Sequence, residues 1–227
     1  TYIFRVIFED ILKIHYEITS SREEFLASDD IKFSYGKNPV SDELFFASAD
    51  ILFERGIRHI DLTFTEHENL PVFFPVHHKQ SALPFDPFAA SFYMVSRYEE
   101  YLPYKKDEYG RFSAMESIAY KKGFLNKPVV NIWANKTGNI LKQNFPGFDF
   151  KGNVYEFTPT IDIDAAWAYR QKGFFRILGG YFSALARLDF EEFSERTSVL
   201  FGQQKDPFDT YDFQYTIHKK YNLKPVY

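Results

Sequence analysis

Apolar residues recur at spacings of three and four through the first stretch of the chain: Ile3, Phe4, Ile7, Phe8, Ile11 and Leu12. That spacing lines one side of a helix over residues 2–13. The period then changes. Residues 14–19 alternate, with Ile14, Tyr16 and Ile18 on one face, which predicts a strand. Ser20-Ser21-Arg22-Glu23-Glu24 is a capping signal, Ser at the cap and Glu three positions on, and predicts a short helix. Residues 31–35 read as another short strand, and residues 42–53 fit helix or strand. Residues 60–64 and 72–76 predict a strand pair joined through 65–69. Pro71 and Pro75 argue for an edge position, because proline donates nothing to a ladder.

A stronger helix follows. Asp86 is placed to cap it and Pro87 suits its first position. Met94, Val95, Tyr98, Tyr101 and Leu102 form its stripe, and Pro103 ends it. Residues 104–123 are polar with scattered aromatics and predict a long exposed connection. Lys127-Pro128 opens a second amphipathic helix through Val130, Trp133, Ile140 and Leu141, weakened by Gly138. A boundary near 145–152 divides the chain into residues 1–148 and 149–227. Residues 154–163 then predict a strand, with Pro159 marking an edge or opening. Helical patterns at 165–186, 189–202 and 208–221 lead to residues 223–227, which read as a strand just beginning. Strand, helical excursion, strand is the first unit of a parallel sheet or barrel. The fold class expected is α/β, an N-terminal α/β domain followed by the first β/α unit of a second domain.

Composition narrows the function classes. Of 227 residues, 45% are hydrophobic and 26% charged, which is ordinary for a globular chain with a real core. A net charge of −4 argues against a nucleic-acid surface, which needs clustered Lys and Arg. No apolar run approaches the roughly 20 residues of a membrane span. The absence of cysteine excludes disulfides and thiolate metal sites. It fits a reducing compartment, and the expected location is the cytoplasm. Thr1 at the start and an incipient strand at Tyr227 suggest a fragment.

Candidate chemistry centres on Asp162 and Asp164. At i and i+2 on a strand, the two carboxylates share a face, at the end where open sheets and barrels build their sites. They fit a cation site with split roles, one acid a ligand and the other a base. Equally, Asp164 caps a helix starting at Ala165 and Asp162 lies in a solvated loop. A second set, His59, Asp61, Glu66, His67, His77 and His78, could reach across the proline-flanked hairpin. Extended, His77 and His78 point to opposite faces, so surface histidines are the preferred reading. Arg97, Glu99 and Glu100 read as a solvated helix face with ordinary ion pairs. The 27 Phe and 16 Tyr mostly fill the core, with room for a sugar-stacking platform.

Thr160-Ile161-Asp162-Ile163-Asp164 resembles the first motif of the polysaccharide deacetylases, in the form where two Asp flank one apolar residue. Residues 85–102 (FDPFAASFYMVSRYEEYL) resemble part of an N-terminal α/β module that precedes such domains in some bacterial members; this likeness covers most of residues 1–150. The resemblance implies a truncated, distorted (β/α) deacetylase barrel in residues 149–227. Asp162 would be the general base and Asp164 a ligand to Zn²⁺ or another divalent metal, completed by a His-x-x-x-His pair. Metal-bound water would attack the N-acetyl group of a glycan or glycan precursor. The histidines here are 15, 59, 67, 77, 78 and 218, and no two are four apart, so those ligands are expected outside the chain. The 227 residues alone are expected to be inactive. Two alternatives stay open: an Asp-x-Asp glycosyltransferase holding a nucleotide sugar through Mn²⁺ or Mg²⁺, and a binding module without chemistry in residues 1–150. Against the first, no Gly-rich phosphate loop is visible.

Overall fold

The structure, a computed structural model, describes residues 1–151 and 155–227. The chain is mixed α/β and divides into two compact units, Thr1–Asn153 and Val154–Tyr227. No helix among the described residues is long and apolar enough to cross a membrane.

The first unit opens with α1 (Tyr2–Arg5), which widens at once into a π-helical stretch, Val6–Ile11. Ile3, Ile7, Phe8, Ile11 and Leu12 are buried, so the apolar stripe faces the core as its spacing predicts. Lys13 (φ 59) turns the chain out, and the Ile14 N–H donates to the Phe8 carbonyl at 2.8 Å. Residues 14–19 are not a strand. Their alternation survives as a contact of the Tyr16 ring on Phe8, but among the described residues no neighbouring strand offers them a ladder. The short helix α2 (Arg22–Ala27) starts where its cap predicts, the Glu24 N–H donating to Ser21 Oγ at 3.3 Å. Glu24 itself accepts from Thr19 Oγ1 rather than closing a reciprocal box.

Strands β1 (Phe33–Gly36) and β2 (Leu44–Ala47) pair in parallel, Phe33 opposite Leu44. Parallel neighbours usually need a crossover of a dozen or more residues; here residues 37–43 suffice. Glu43 holds that connection. Its carboxylate accepts from Val40 N at 2.8 Å, Ser41 N at 2.7 Å and the Ser34 hydroxyl. Partial burial opposes its ionisation, but these donors prevail and lower its pKa to about 2. β3 (Phe64–His67) and β4 (Leu70–Phe73) form an antiparallel hairpin. Glu68 and Asn69 both have positive φ, the geometry of a type I′ turn. The predicted pair is thus present but shifted inward, and much of the expected loop 65–69 is strand. Pro71 sits in β4, in a sheet of two strands where an edge is always at hand.

Helix α3 (Pro87–Val95) begins at Asp86, whose carboxylate accepts from Phe88 N and Ala89 N, both at 2.9 Å. The same group accepts from the Tyr35 hydroxyl and from Ala49 N, each at 2.7 Å. One buried carboxylate therefore ties α3 to β1 and to the exit of β2. Burial pushes its pKa up to about 6 against the pull of its four donors. The predicted helix does not continue to Leu102. Arg97 is left-handed (φ 54), and a 3₁₀ turn, Tyr98–Tyr101, follows. Glu99 is not on a solvated face either. Half-buried, it accepts from Ile118 N at 2.9 Å at the start of α4 (Ile118–Lys121), and burial raises its pKa. Arg97 and Glu100 do form the expected exposed ion pair.

Helix α5 (Val129–Asn144) closes the unit. Gly138 is no mere weak point: a Cβ there would lie 2.8 Å from the Phe150 ring and 3.1 Å from Leu12. The core gathers around Phe88, whose ring meets Phe4, Phe33, Tyr35 and Phe46. Trp133 extends it through Phe73 and Phe85. Such rings bury large areas and dominate a core's energetics.

The second unit contains α6 (Phe174–Ala186), α7 (Phe190–Leu200) and α8 (Tyr211–Lys220). Val154, the first residue of the expected strand 154–163, lies outside the described residues. Of the remainder, the paired part is one parallel bridge, Thr160 to Val226. Ile161 N donates to the Val226 carbonyl and Val226 N to the Pro159 carbonyl, both at 2.9 Å. Pro159 has no N–H, and a strand with one short partner has nothing to extend its ladder. The first helical pattern also starts later than expected: residues 165–173 are turns and bends. The described residues contain no closed barrel.

Candidate functional site

Asp162 and Asp164 follow directly on the Thr160 bridge, in an open segment, and both are exposed. Asp164 does not cap a helix at Ala165, since the next helix begins at Phe174 with Gly173 at its N-cap. The bland alternative for Asp164 is therefore not realised. Both acids precede a loop that is held tightly at its far end.

Asp206 does the holding. It is buried, and its carboxylate accepts from Ala168 N at 2.8 Å, Tyr169 N at 2.9 Å and Arg170 N at 3.0 Å. Phe208 N adds a fourth donor at 3.0 Å. Burial works against the charge, but the backbone donors outweigh it and lower the pKa to about 2. Tyr211 reinforces the clasp by donating to the Ala166 carbonyl at 2.9 Å, and its ring lies edge-on to Trp167. Arg196, largely buried, lies over the Tyr169 ring and pairs with Glu192. Nothing in the periodicity singles out Asp206. Asp206-Pro207 reads as a turn, and three of its four donors, Ala168, Tyr169 and Arg170, stand more than thirty residues away.

Among the described residues, no three His, Asp or Glu side chains converge where a metal ion could sit. Asp162 and Asp164 offer two exposed carboxylates and no histidine, so the residues present do not make a complete zinc shell.

The histidine set of the first unit disperses. His59 Nε2 lies 3.1 Å from Asp61 at the surface. His67 packs near Phe85, and its buried Nε2 has no hydrogen-bond partner among the described residues, with Glu68 Oε1 3.9 Å away. His77 is exposed, whereas the His78 ring lies edge-on to Phe45. Both residues of the adjacent pair line one cleft. His67 and His78 are half-buried rather than surface residues, because a hairpin and a sheet edge cover one side of each.

A cleft of about 470 Å³ lies in this unit, where the chain leaves the carboxyl ends of β1 and β2. Lys37, Ser48, Asp50, Arg58, Asp61 and His78 line it, with Ile51 and Phe74 as apolar wall. Sequence reasoning found Asp61, His77 and His78 but not the cleft, whose rim comes from four separate segments.

Residues 1–146 match a family described as Family of unknown function (DUF7033). No curated protein and no solved structure matches the chain.

Proposed function

The chain belongs to the family of unknown function DUF7033, and from that premise we propose that residues 149–227 begin a metal-dependent, polysaccharide deacetylase-like hydrolase domain. The observation that carries this reading is the parallel bridge from Thr160 to Val226. It joins the segment just before Asp162 and Asp164 to one that returns beside it after α6, α7 and α8. In β/α architectures, residues just past the carboxyl end of a strand build the site. On this reading Asp164 holds the metal, and Asp162 takes the proton from the attacking water. The substrate is an N-acetylated glycan or its precursor, and the amide is cleaved to release acetate. The histidine ligands lie outside these 227 residues.

The exposed apolar faces of the second unit support the same reading. Phe175 is 87% exposed, Phe182 71% and Phe201 76%. Helices of a (β/α) layer turn such faces onto further strands.

Acetate release from an N-acetylated glycan oligomer, together with bound-zinc analysis, tests the proposal on the product of the complete gene. Asp164→Asn is expected to lose metal and activity. Asp162→Asn is expected to keep metal and lose about 10²-fold or more in kcat. The 227-residue chain alone is expected to release no acetate with zinc added. A complete product that binds no zinc and releases no acetate would overturn the reading.

A further inference from the structure

We propose that the cleft beyond the carboxyl ends of β1 and β2 is a binding site for a neutral saccharide, separate from Asp162 and Asp164. Its place in the fold is the first argument. In parallel sheets the crevice outside the carboxyl ends of the strands is where ligands bind, and a volume of about 470 Å³ is of small-molecule size.

The lining specifies the ligand's chemistry. Lys37, Arg58, Asp50 and Asp61 carry formal charges that cancel. Lys37 is paired with Asp50 and Arg58 with Glu54, so neither cation stands free for an anion. What remains is a mixture of donors and acceptors on the rim of the cleft. The Gln80 N–H donates to His78 Nδ1 at 3.3 Å, which makes Nε2 the ring's own donor. Asp61 and Asp50 accept. Ligand hydroxyls, each donor and acceptor at once, match such a set, and Ile51 and Phe74 offer a wall for a sugar's C–H face.

Two further observations concern the wall of the cleft. Ser48 lines it and is 5% exposed, yet its Oγ has no hydrogen-bond partner among the described residues. A buried hydroxyl left unpaired is costly, so the wall of the cleft at Ser48 is not packed for stability alone. Phe74, on the wall, has a left-handed backbone at φ 60, a true outlier for a bulky residue. The Asp86 N–H donating to the Phe74 carbonyl at 2.9 Å holds it there. Strain of this kind gathers at binding sites.

The test is a calorimetric or NMR titration of the 227-residue chain with glucose, N-acetylglucosamine, cellobiose and chitobiose, and with inorganic phosphate alongside. Saturable binding of at least one sugar is expected, weakened about tenfold or more by Asp61→Asn and by His78→Ala. Asp164→Asn should leave binding intact, so this site stands or falls separately from the hydrolase reading. The proposal is overturned by the absence of binding to all four sugars at about 10 mM, a ceiling for meaningful affinity. Binding of phosphate in their place, or sugar binding that survives both Asp61→Asn and His78→Ala, overturns it equally.

Discussion

Two buried carboxylates, Asp86 and Asp206, do the same job in different units and respond to pH in opposite senses. Each gathers backbone N–H groups from a segment distant in sequence. Burial wins at Asp86 and raises its pKa to about 6, whereas the backbone donors win at Asp206 and lower it to about 2. A carboxyl that binds its proton more tightly when folded contributes stability that is present below its unfolded pKa. That stability is lost as pH rises through the folded value. The first unit should therefore lose about 3 kcal/mol between pH 3 and pH 7 through Asp86. Urea unfolding across that range checks it, and Asp86→Asn should flatten the slope while costing the acceptor of Ala49 N. Asp206 runs the other way: its contribution holds above pH 4 and fades as pH falls toward 2.

At the scale of the element, neighbouring glycines in α6 separate helix propensity from packing. A Cβ on Gly179 meets nothing within 4 Å, whereas one on Gly180 falls 2.2 Å from the Arg196 guanidinium. Gly179→Ala should stabilise the helix by about 0.5–1 kcal/mol, the usual gain within a helix. Gly180→Ala should destabilise, because Arg196 must leave its place against Tyr169 and Tyr181. Thermal unfolding of the two variants beside the parent decides it; equal shifts of the same sign would show that Arg196 moves freely. The contrast also explains why Gly138 survives inside α5, where Phe150 and Leu12 occupy the space a side chain needs.

For the whole molecule, the contiguous buried hydrophobic cluster runs from Ile3 to Leu141, within the first unit. The second unit fully buries few large side chains and leaves Phe174, Phe175, Phe182, Phe190 and Phe213 exposed. Residues 1–151 expressed alone should then unfold in one cooperative transition, at the midpoint shown by Trp133 fluorescence in a Trp167→Phe variant of the longer chain. Residues 155–227 alone should unfold with little cooperativity and bind a hydrophobic dye, as weakly packed compact states do. A sharp, dye-free transition of that piece would mean that its helices complete a core without further strands.

How much of this the sequence determined follows from what acts locally. The stripe from Ile3 to Leu12, the cap of Asp86 with Pro87, the cap of Ser21 and the three helical patterns of the second unit depend on neighbours within a turn or two. They are legible without coordinates, as is the two-residue spacing of Asp162 and Asp164. Strands are another matter, because a strand exists only where another backbone meets its N–H and C=O groups. Residues 14–19 alternate as a strand should and find no partner, while residues 44–47, ambiguous in pattern, pair in parallel with β1 through a connection that Glu43 holds. The clasp of Asp206 on residues 168–170, the reach of Asp86 to Tyr35 and Ala49, and the cleft around Ser48 were decided by tertiary structure alone. In each, the groups that satisfy one another lie too far apart in sequence for any period to connect them.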